Sequence, residues 1–159
     1  MASAAGRPVA SYVLCTDPAS RLLIVRATGG GPGGWQLPGG AVEEGESPLD
    51  AVRRQVREGL GLVLDLLPDD LLGVEWAEAR RAGERAGLVF LWSGPMLSSA
   101  ETERIALAEG ESAAWRWAAP EEARRLLPAG AAARVGSRSQ WPGAVTYREV
   151  RFPAAAESR

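Results

Sequence analysis

The residues of this chain that could do chemistry are concentrated at positions 39–62, where glycines are interspersed with charged side chains. Glu46 precedes Arg54 by eight residues, and Glu58 follows Arg54 by four. Residues three and four apart share one face of a helix, so positions 55, 58 and 59 would meet on a single surface. Carboxylates gathered on such a surface would suit a hard divalent cation, which neutralises a diphosphate and helps to activate water.

Only one of the three positions on that surface carries a carboxylate. Gln55 can donate or accept a hydrogen bond but cannot take up a proton as a base, and Gly59 has no side chain. Glu58 is the one acid that remains. Mg²⁺ needs only one or two carboxylates when water and substrate phosphates complete its coordination. The surface therefore keeps the means to bind a metal ion but lacks an evident general base.

A helix at 48–59 is predicted to position these residues. Ser47 suits the N-cap, and Pro48 suits the first helical position, where its missing N–H has no bond to make. Apolar residues follow with helical spacing at Ala51, Val52, Val56 and Leu60. Gly59 and Gly61 indicate the end of the helix.

The remaining elements are mostly strands. They are predicted at 8–15, 21–26, 35–40, 62–67, 71–77, 88–92, 115–117 and 145–152, the first two as a hairpin and the last at an edge. A turn is predicted at 68–70, irregular structure at 95–112, and further helices at 120–127 and 130–135. Residues 1–7 are predicted to be a loose tail, and the whole of 1–159 is predicted to be a single domain.

Composition excludes several classes of function. The chain has 159 residues and no histidine, which excludes Ser-His-Asp catalysis, Cys-His catalysis and histidine-based zinc sites. A net charge of -2 disfavours a nucleic-acid partner. No segment has the apolar length of a membrane span or a signal peptide. Cys15 is the only cysteine, so no internal disulfide is expected, and we predict a buried or half-buried Cys15 on a strand of a cytoplasmic protein.

The run at 39–62 resembles the Nudix box. That motif is a glycine, five residues, a glutamate, seven residues, and then Arg-Glu-apolar-any-Glu-Glu-any-Gly-apolar. Both gaps match, as do the defined positions Gly40, Glu46, Arg54, Val56, Glu58, Gly61 and Leu62. Gln55 and Gly59 depart from the motif, since each stands where the family has a glutamate. The segments 35–40 and 115–123 also look like those of Nudix domains, so the resemblance extends over most of residues 8–128.

The resemblance implies a fold and a structural framework for the box. The fold would be α/β, with a mixed β-sheet sandwiched between α-helices. Gly40 and Gly61 would shape the turns at the two ends of the box. Glu46 and Arg54 would form an ion pair that ties the loop to the helix.

The resemblance also implies roles in catalysis and metal binding. Arg54, Gln55 and Glu58 occupy the catalytic positions of the box. The carbonyl of Gly39 and the carboxylate of Glu58 would reach the metal, although an exposed helical glutamate can also be a simple solvated charge. A further metal ligand would come from Glu109 or Glu111, which could equally be ordinary loop charges.

Other charged residues are candidates for supporting roles. Arg26, at the end of a predicted strand, could bind a substrate phosphate or simply face water. Asp50, Glu43 and Glu44 lie close enough in sequence to replace the missing box carboxylates, and the sequence does not place them.

Three functions remain open on these grounds. The first is a hydrolase of a nucleoside diphosphate-linked substrate that uses Mg²⁺ or Mn²⁺, weak or atypical because Gln55 and Gly59 replace box glutamates. The second is a ligand-binding module that has lost catalysis, and the third is a repurposed biosynthetic enzyme. In each case the partner is a small phosphorylated molecule, with no nucleic acid and no membrane, and a homodimer is a possible assembly.

Overall fold

The computed structural model describes residues 6–28, 33–79, 82–110, 112–136 and 145–150, which fold into strands and helices. The strands are β1 (Val9–Thr16), β2 (Leu22–Ala27), β3 (Trp35–Gln36), β4 (Gly39–Ala41), β5 (Leu71–Ala77), β6 (Gly87–Met96), β7 (Ser112–Ala118) and β8 (Thr146–Val150). The helices are α1 (Pro48–Leu60), α2 (Ser99–Glu103), α3 (Pro120–Leu126) and α4 (Ala129–Gly136), with a 3-10 turn at Pro68–Asp70. None of the helices in these ranges is long and apolar enough to cross a membrane.

The strands form one mixed sheet, which confirms the predicted α/β class. Its order is β3-β2-β1-β6-β5-β8, with β4 paired to β1 and β7 paired to β2. Strand β1 is antiparallel to β2 and β4 but parallel to β6, and β8 is parallel to β5. The predicted hairpin of the first two strands is confirmed, and β8 lies at one end of the strand order, as predicted.

The two faces of the sheet hold separate apolar cores. Side chains alternate between the faces along each strand. On the α1 face, residues of β1, β2 and β6 pack with the helix in a core that includes Val13, Cys15, Leu23, Val52, Val56, Leu60 and Trp92. On the α3–α4 face, the core includes Leu14, Leu22, Ile24, Leu37, Leu91, Ala123, Leu127 and Ala131. The prediction that Cys15 is buried is confirmed, at 1% exposure.

Helix α1 begins and ends where its capping residues require. The Ser47 hydroxyl accepts a hydrogen bond from the Asp50 N–H at 3.1 Å, and Gly61 closes the helix with φ 68°, a left-handed conformation that favours glycine. The N–H of Ala106 donates to the carbonyl of Leu60 at 2.9 Å, so one of the last helical carbonyls has a partner. The predicted helix at 48–59 is confirmed.

A register shift in β5 changes which face its later residues occupy. Leu71 lies opposite Trp92 on the α1 face, but Gly73 then lies opposite Leu91, because the register shifts between them. One extra residue in a strand turns the following side chains to the other face. Glu75 therefore lies opposite Val89 and points to the α3–α4 face.

Three of the predicted elements are corrected by the structure. Residues 62–67 show the alternating burial of a strand, with Val63 87% exposed between buried Leu62 and Leu64, but they are not part of the sheet. The predicted strand at 35–40 is divided into β3 and β4. The segment at 95–112, predicted to be irregular, contains the end of β6 and the short helix α2.

Candidate active site

Arg54 joins the loop before α1 to the helix. Its Nε lies 3.0 Å from Glu46 Oε2 and its Nη2 lies 2.8 Å from Glu46 Oε1, so the two side chains form a bidentate pair. Glu46 also accepts a hydrogen bond from the Glu43 N–H at 2.9 Å, which closes the loop. The hydrogen bonds from Arg54 and from this N–H lower the pKa of Glu46 to about 2. The ion pair predicted from the sequence is confirmed.

Arg54 also holds the one remaining acid of the box. Arg54 Nη1 lies 3.2 Å from Glu58 Oε2, and the Glu58 side chain is 41% exposed. Glu43 approaches Arg54 at 3.7 Å on the loop side. The side chain of Arg54 is only 19% exposed. The guanidinium thus fixes the direction of the Glu58 carboxylate at an accessible position on α1.

A cleft of about 160 Å³, here called the first cleft, lies beside α1. Its described lining is Val25, Ala27, Gln36, Leu37, Pro38, Gly39, Gln55, Val56, Gly59 and Leu60. None of these residues carries a formal charge. Both departures from the box, Gln55 and Gly59, line this cleft, four residues apart on α1. Carboxylates at those two positions would have made the same cleft strongly anionic.

The glycines at the mouth of the first cleft are fixed by close approach. Gly39 has φ 133°, and a Cβ there would lie 2.1 Å from the carbonyl oxygen of Ser11 in β1. A Cβ on Gly40 would lie 2.8 Å from Gln55 Nε2. At Gly39 the close atom belongs to the backbone of β1, so that residue must be glycine, whereas at Gly40 it is the end of the Gln55 side chain, which a substitution would displace. The Gln55 amide therefore packs directly against the Gly40 backbone.

A second cavity of about 230 Å³ lies on the α3–α4 face of the sheet. Its described lining is Ala10, Tyr12, Gln36, Leu37, Val89, Pro128, Ala131 and Arg134. Gln36 and Leu37 border both spaces, so the second cavity adjoins the first cleft across β3. The Tyr12 hydroxyl lies 3.5 Å from Gln36 Oε1.

A buried ion pair borders the second cavity. Arg134 Nε donates to Glu75 Oε2 at 2.5 Å, and the side chains are 10% and 1% exposed. The guanidinium carbon of Arg134 lies 5.8 Å from the centre of the Tyr12 ring. Sequence reasoning did not find these residues. One signal was present, since Glu75 is an acid within an otherwise apolar predicted strand, but nothing local connects it to Arg134, 59 residues later.

The family model that matches this chain is that of the NUDIX domain, and it covers residues 6–138. The chain belongs to the Nudix family. Nudix hydrolase 25 of Arabidopsis thaliana is 32% identical over an alignment of 124 residues that covers 69% of this chain and 71% of the relative. The RNA pyrophosphohydrolase of Erythrobacter litoralis is 28% identical, over 60% of this chain and 65% of that relative.

Solved Nudix structures show the same fold at low identity. The MutT protein of Methanosarcina mazei has a TM-score of 0.64 at 20% identity and covers 87% of this chain and 99% of that chain. An Ap4A hydrolase of C. elegans has a TM-score of 0.63 at 19% identity, covering 84% and 95%. At these identities the likeness concerns the fold alone.

Nudix hydrolases generally use divalent metal ions, and the donor set of this chain fits only a reduced site. Within the described ranges, no three Asp, Glu, Cys or His side chains come together as a metal-binding group. Among the described residues, the Gln36 and Gln55 amides and the Gly39 main chain offer oxygens to the first cleft, and the Glu58 carboxylate lies beside it on α1, three residues from Gln55. This set fits a single ion completed by water and substrate oxygens, but not a cluster of ions.

The other candidate acids lie away from the first cleft or outside the described residues. Asp50 faces Arg53 at 3.5 Å and is 64% exposed, and Glu43 contacts Arg54 on the loop. Glu109 is exposed in the turn before β7, three residues after Ala106, which is bonded to the end of α1. Its role in metal binding stays a prediction. Glu111 lies outside the described residues.

Arg26 lies beside Trp35 and does not line either space. Its guanidinium carbon is 5.6 Å from the centre of the Trp35 ring. Val25 and Ala27 line the first cleft, so Arg26, between them on β2, points to the opposite face of the sheet. That Arg26 binds a substrate phosphate stays a prediction, and it would require a substrate that reaches around the edge at Trp35.

Proposed function

We propose that this Nudix protein hydrolyses a phosphoanhydride bond in a small nucleoside diphosphate-linked substrate, with Mg²⁺ or Mn²⁺, at a low rate. The observation that carries the proposal is the bidentate pair of Arg54 and Glu46 beside the first cleft. This pair and the glycines at 39–40 keep the loop and α1 in one arrangement. A scaffold held this firmly favours a function at the cleft that it borders.

Glu58 and the carbonyl of Gly39 would hold the metal ion. When bound, the ion would neutralise the diphosphate and help to activate the attacking water. Arg54 would orient the Glu58 carboxylate through the contact at 3.2 Å. Because Glu58 is exposed and accessible, the ion could reach it together with the phosphates of the substrate.

The low rate follows from the lining of the first cleft. The amide of Gln55 can orient a water molecule by hydrogen bonding but cannot accept its proton. A positioned general base contributes about 10²–10⁴-fold to the rate. Gly59 lacks the second carboxylate that the Nudix box has on the same helix face. The chain should therefore turn over slowly compared with a Nudix enzyme that keeps both acids.

The second cavity would accept the nucleoside part of the substrate. Its walls are largely apolar, and Tyr12 supplies an aromatic ring suited to a planar base. Since Gln36 borders both spaces, a bound molecule could place its ring in the second cavity and its phosphates at the first cleft. Cytoplasmic location and a homodimer remain predictions, and sedimentation velocity would measure the assembly.

A steady-state assay of Glu58→Gln tests the proposed hydrolysis. The substrates are a nucleotide sugar, a dinucleoside polyphosphate, a nucleoside triphosphate and 5′-triphosphorylated RNA, each with and without Mg²⁺ or Mn²⁺. We expect Glu58→Gln to lower metal-dependent turnover about tenfold or more, since even an indirect metal contact is worth about 10–100-fold. Glu121→Gln, an exposed acid on α3, is the matched control and should leave turnover unchanged. Turnover of the wild-type chain that Glu58→Gln leaves intact would contradict the proposal.

A second candidate function is a binding module without turnover. It is favoured by the uncharged described lining of the first cleft, which contains neither box acid. If the chain only binds its ligand, the wild type should bind nucleotide saturably and should hydrolyse no substrate of the panel. Glu58→Gln should then show no hydrolysis either. Measuring binding by calorimetry alongside the assay separates the two functions.

A further inference from the structure

The second cavity combines apolar walls with one buried charged group that is already neutralised. Arg134 is held by Glu75, and both side chains are at least nine-tenths buried. A phosphate in this cavity would have to leave water for the apolar surfaces of Leu37, Val89 and Ala131, at a high cost. The compensating charge of Glu75 removes much of the attraction that Arg134 alone would offer. The cavity therefore favours an uncharged ring over a phosphate.

The polar groups of the cavity differ in what they can recognise. The guanidinium of Arg134 carries only N–H donors, of which Nε–H is bonded to Glu75, so a ligand edge that meets it must accept hydrogen bonds. The Gln36 amide and the Tyr12 hydroxyl can each donate and accept. Discrimination between ring edges would therefore come from Arg134. Arginine reads the paired acceptors of a guanine-type edge, whereas an adenine-type edge presents an amino donor.

The buried pair also fixes the direction of Arg134. Its Nε is bonded to Glu75 Oε2, and its guanidinium carbon lies 5.8 Å from the centre of the Tyr12 ring. A guanidinium positioned in advance loses little entropy when a ligand binds. The register shift in β5 makes this possible, since it directs Glu75 to the α3–α4 face.

We propose that Arg134 is the specificity-determining residue of the second cavity, where it selects a planar ring with a carbonyl acceptor on its edge over one with an amino group. This rests on the proposed function in that the ring is the nucleoside part of the substrate. Glu75 acts through Arg134 as a positioning residue. The substrates of this chain would thus carry guanine-type or hypoxanthine-type bases.

The test is binding of inosine 5′-monophosphate and adenosine 5′-monophosphate, measured by calorimetry without metal. The two ligands differ at the ring edge, as a 6-oxo group with a protonated N1 replaces a 6-amino group, and neither contains a phosphoanhydride to hydrolyse. We expect the inosine nucleotide to bind about tenfold tighter or more, the lower end of what one good arginine contact to a base gives. Equal affinities, a preference for the adenosine nucleotide, or no binding of either would overturn the proposal.

Two variants assign the preference to Arg134 and to the cavity. Removing Arg134 alone would leave Glu75 as an unpaired buried charge, so both are changed together in Glu75→Gln with Arg134→Gln. This double variant should bind the two ligands equally, whereas Arg125→Gln, an exposed arginine on α3, should keep the preference. Ala131→Leu fills part of the second cavity without changing Glu75 or Arg134, and it should weaken the binding of both ligands. A preference that survives the double variant, or binding unchanged in Ala131→Leu, would show the assignment to be wrong.

The binding measurements can refute the role of Arg134 without refuting hydrolysis, and the hydrolysis assay can do the reverse. A preference for the inosine nucleotide with no turnover would leave the specificity of Arg134 standing and refute hydrolysis. Turnover that depends on Glu58 but shows no preference between bases would refute the role of Arg134 and leave hydrolysis standing.

Discussion

Gln55 and Gly59 set the chemistry of the first cleft because both lie on the face of α1 that lines it. A glutamate at Gly59 would extend from the last turn of the helix into the cleft. The left-handed conformation that ends α1 belongs to Gly61, whereas Gly59 has a helical backbone and is buried where it lines the first cleft. Replacing a glycine in a helix removes an entropy cost of up to about 1 kcal/mol, so the backbone should accept the change.

Restoring both acids should therefore raise activity. We expect Gln55→Glu with Gly59→Glu to increase metal-dependent phosphoanhydride hydrolysis by about 10²-fold or more, since a general base alone contributes about 10²–10⁴-fold. The measurement is kcat on the best substrate of the panel, after circular dichroism has shown the variant to be folded. Gly59→Gln, matched in size but uncharged, is the control. A double variant no faster than this control would mean that these positions do not limit turnover.

The pair of Glu46 and Arg54 makes a pH-dependent contribution to stability. The pKa of Glu46 is lowered from 4.5 to about 2, so its contribution is fully present above pH 4.5 and is lost as the pH falls towards 2. We expect Glu46→Gln to lower the free energy of unfolding at pH 7 modestly, because the pair is near the surface. The difference from the wild type should shrink steadily below pH 4.5 and should be mostly gone as the pH reaches about 2, where the Glu46 carboxyl of the folded protein takes up its proton.

Urea denaturation at several pH values between 2 and 7 measures this difference. Glu44→Gln changes an exposed acid of the same loop and should show no such dependence. A Glu46→Gln variant whose deficit stays constant down to pH 2 would indicate a packing role and not an ionic one.

At the scale of elements, the contact of β4 with β1 constrains the loop before α1. A Cβ on Gly39 would lie 2.1 Å from the Ser11 carbonyl oxygen, so any side chain there must push β4 away from β1. Ser11 is also bonded to the Pro48 carbonyl at 2.7 Å and to Trp92 Nε1 at 2.9 Å. A displacement at Gly39 would thus disturb the start of α1 as well as the sheet.

We expect Gly39→Ala to destabilise the protein by clearly more than Gly45→Ala. Gly45 also has a positive φ, 84°, but nothing lies within 4 Å of its Cβ position, so it reports backbone strain alone, about 1–3 kcal/mol. Chemical denaturation of both variants gives the comparison. Equal destabilisation would show that the β1–β4 contact relaxes at little cost.

The elements that local patterns encode were predicted, and those that depend on distant contacts were not. Ser47, Pro48 and Gly61 act within a few residues of α1, so its ends could be predicted from the sequence. The segment at 62–67 has the alternation of a strand because Leu62, Leu64 and Leu66 pack on the α1 core. Pairing with another strand is not encoded in that alternation, and the predicted strand there was wrong.

The candidate site also has one part that could be predicted from the sequence and one part that could not. The pair of Glu46 and Arg54 lies within the box, and the resemblance to the Nudix box was enough to predict the contact. The pair of Glu75 and Arg134 depends on a register shift in β5 and on how α4 lies against the sheet. A one-residue shift reverses the facing of a strand, and no single-sequence pattern reveals where it occurs. The second cavity could therefore not be predicted.

At the scale of the whole molecule, the parallel pairing of β1 with β6 determines the order in which the chain can assemble. The bond between Ser11 and Trp92 joins residues 81 positions apart, and the intervening chain includes α1 and β5. Contacts of such long range slow folding, because loop closure costs entropy before the contacts form. During synthesis, β1 leaves the ribosome long before its parallel partner. Until β6 emerges, β1 has an open edge on that side, so a nascent chain halted before Gly87 presents an apolar strand to chaperones or to other unfinished chains.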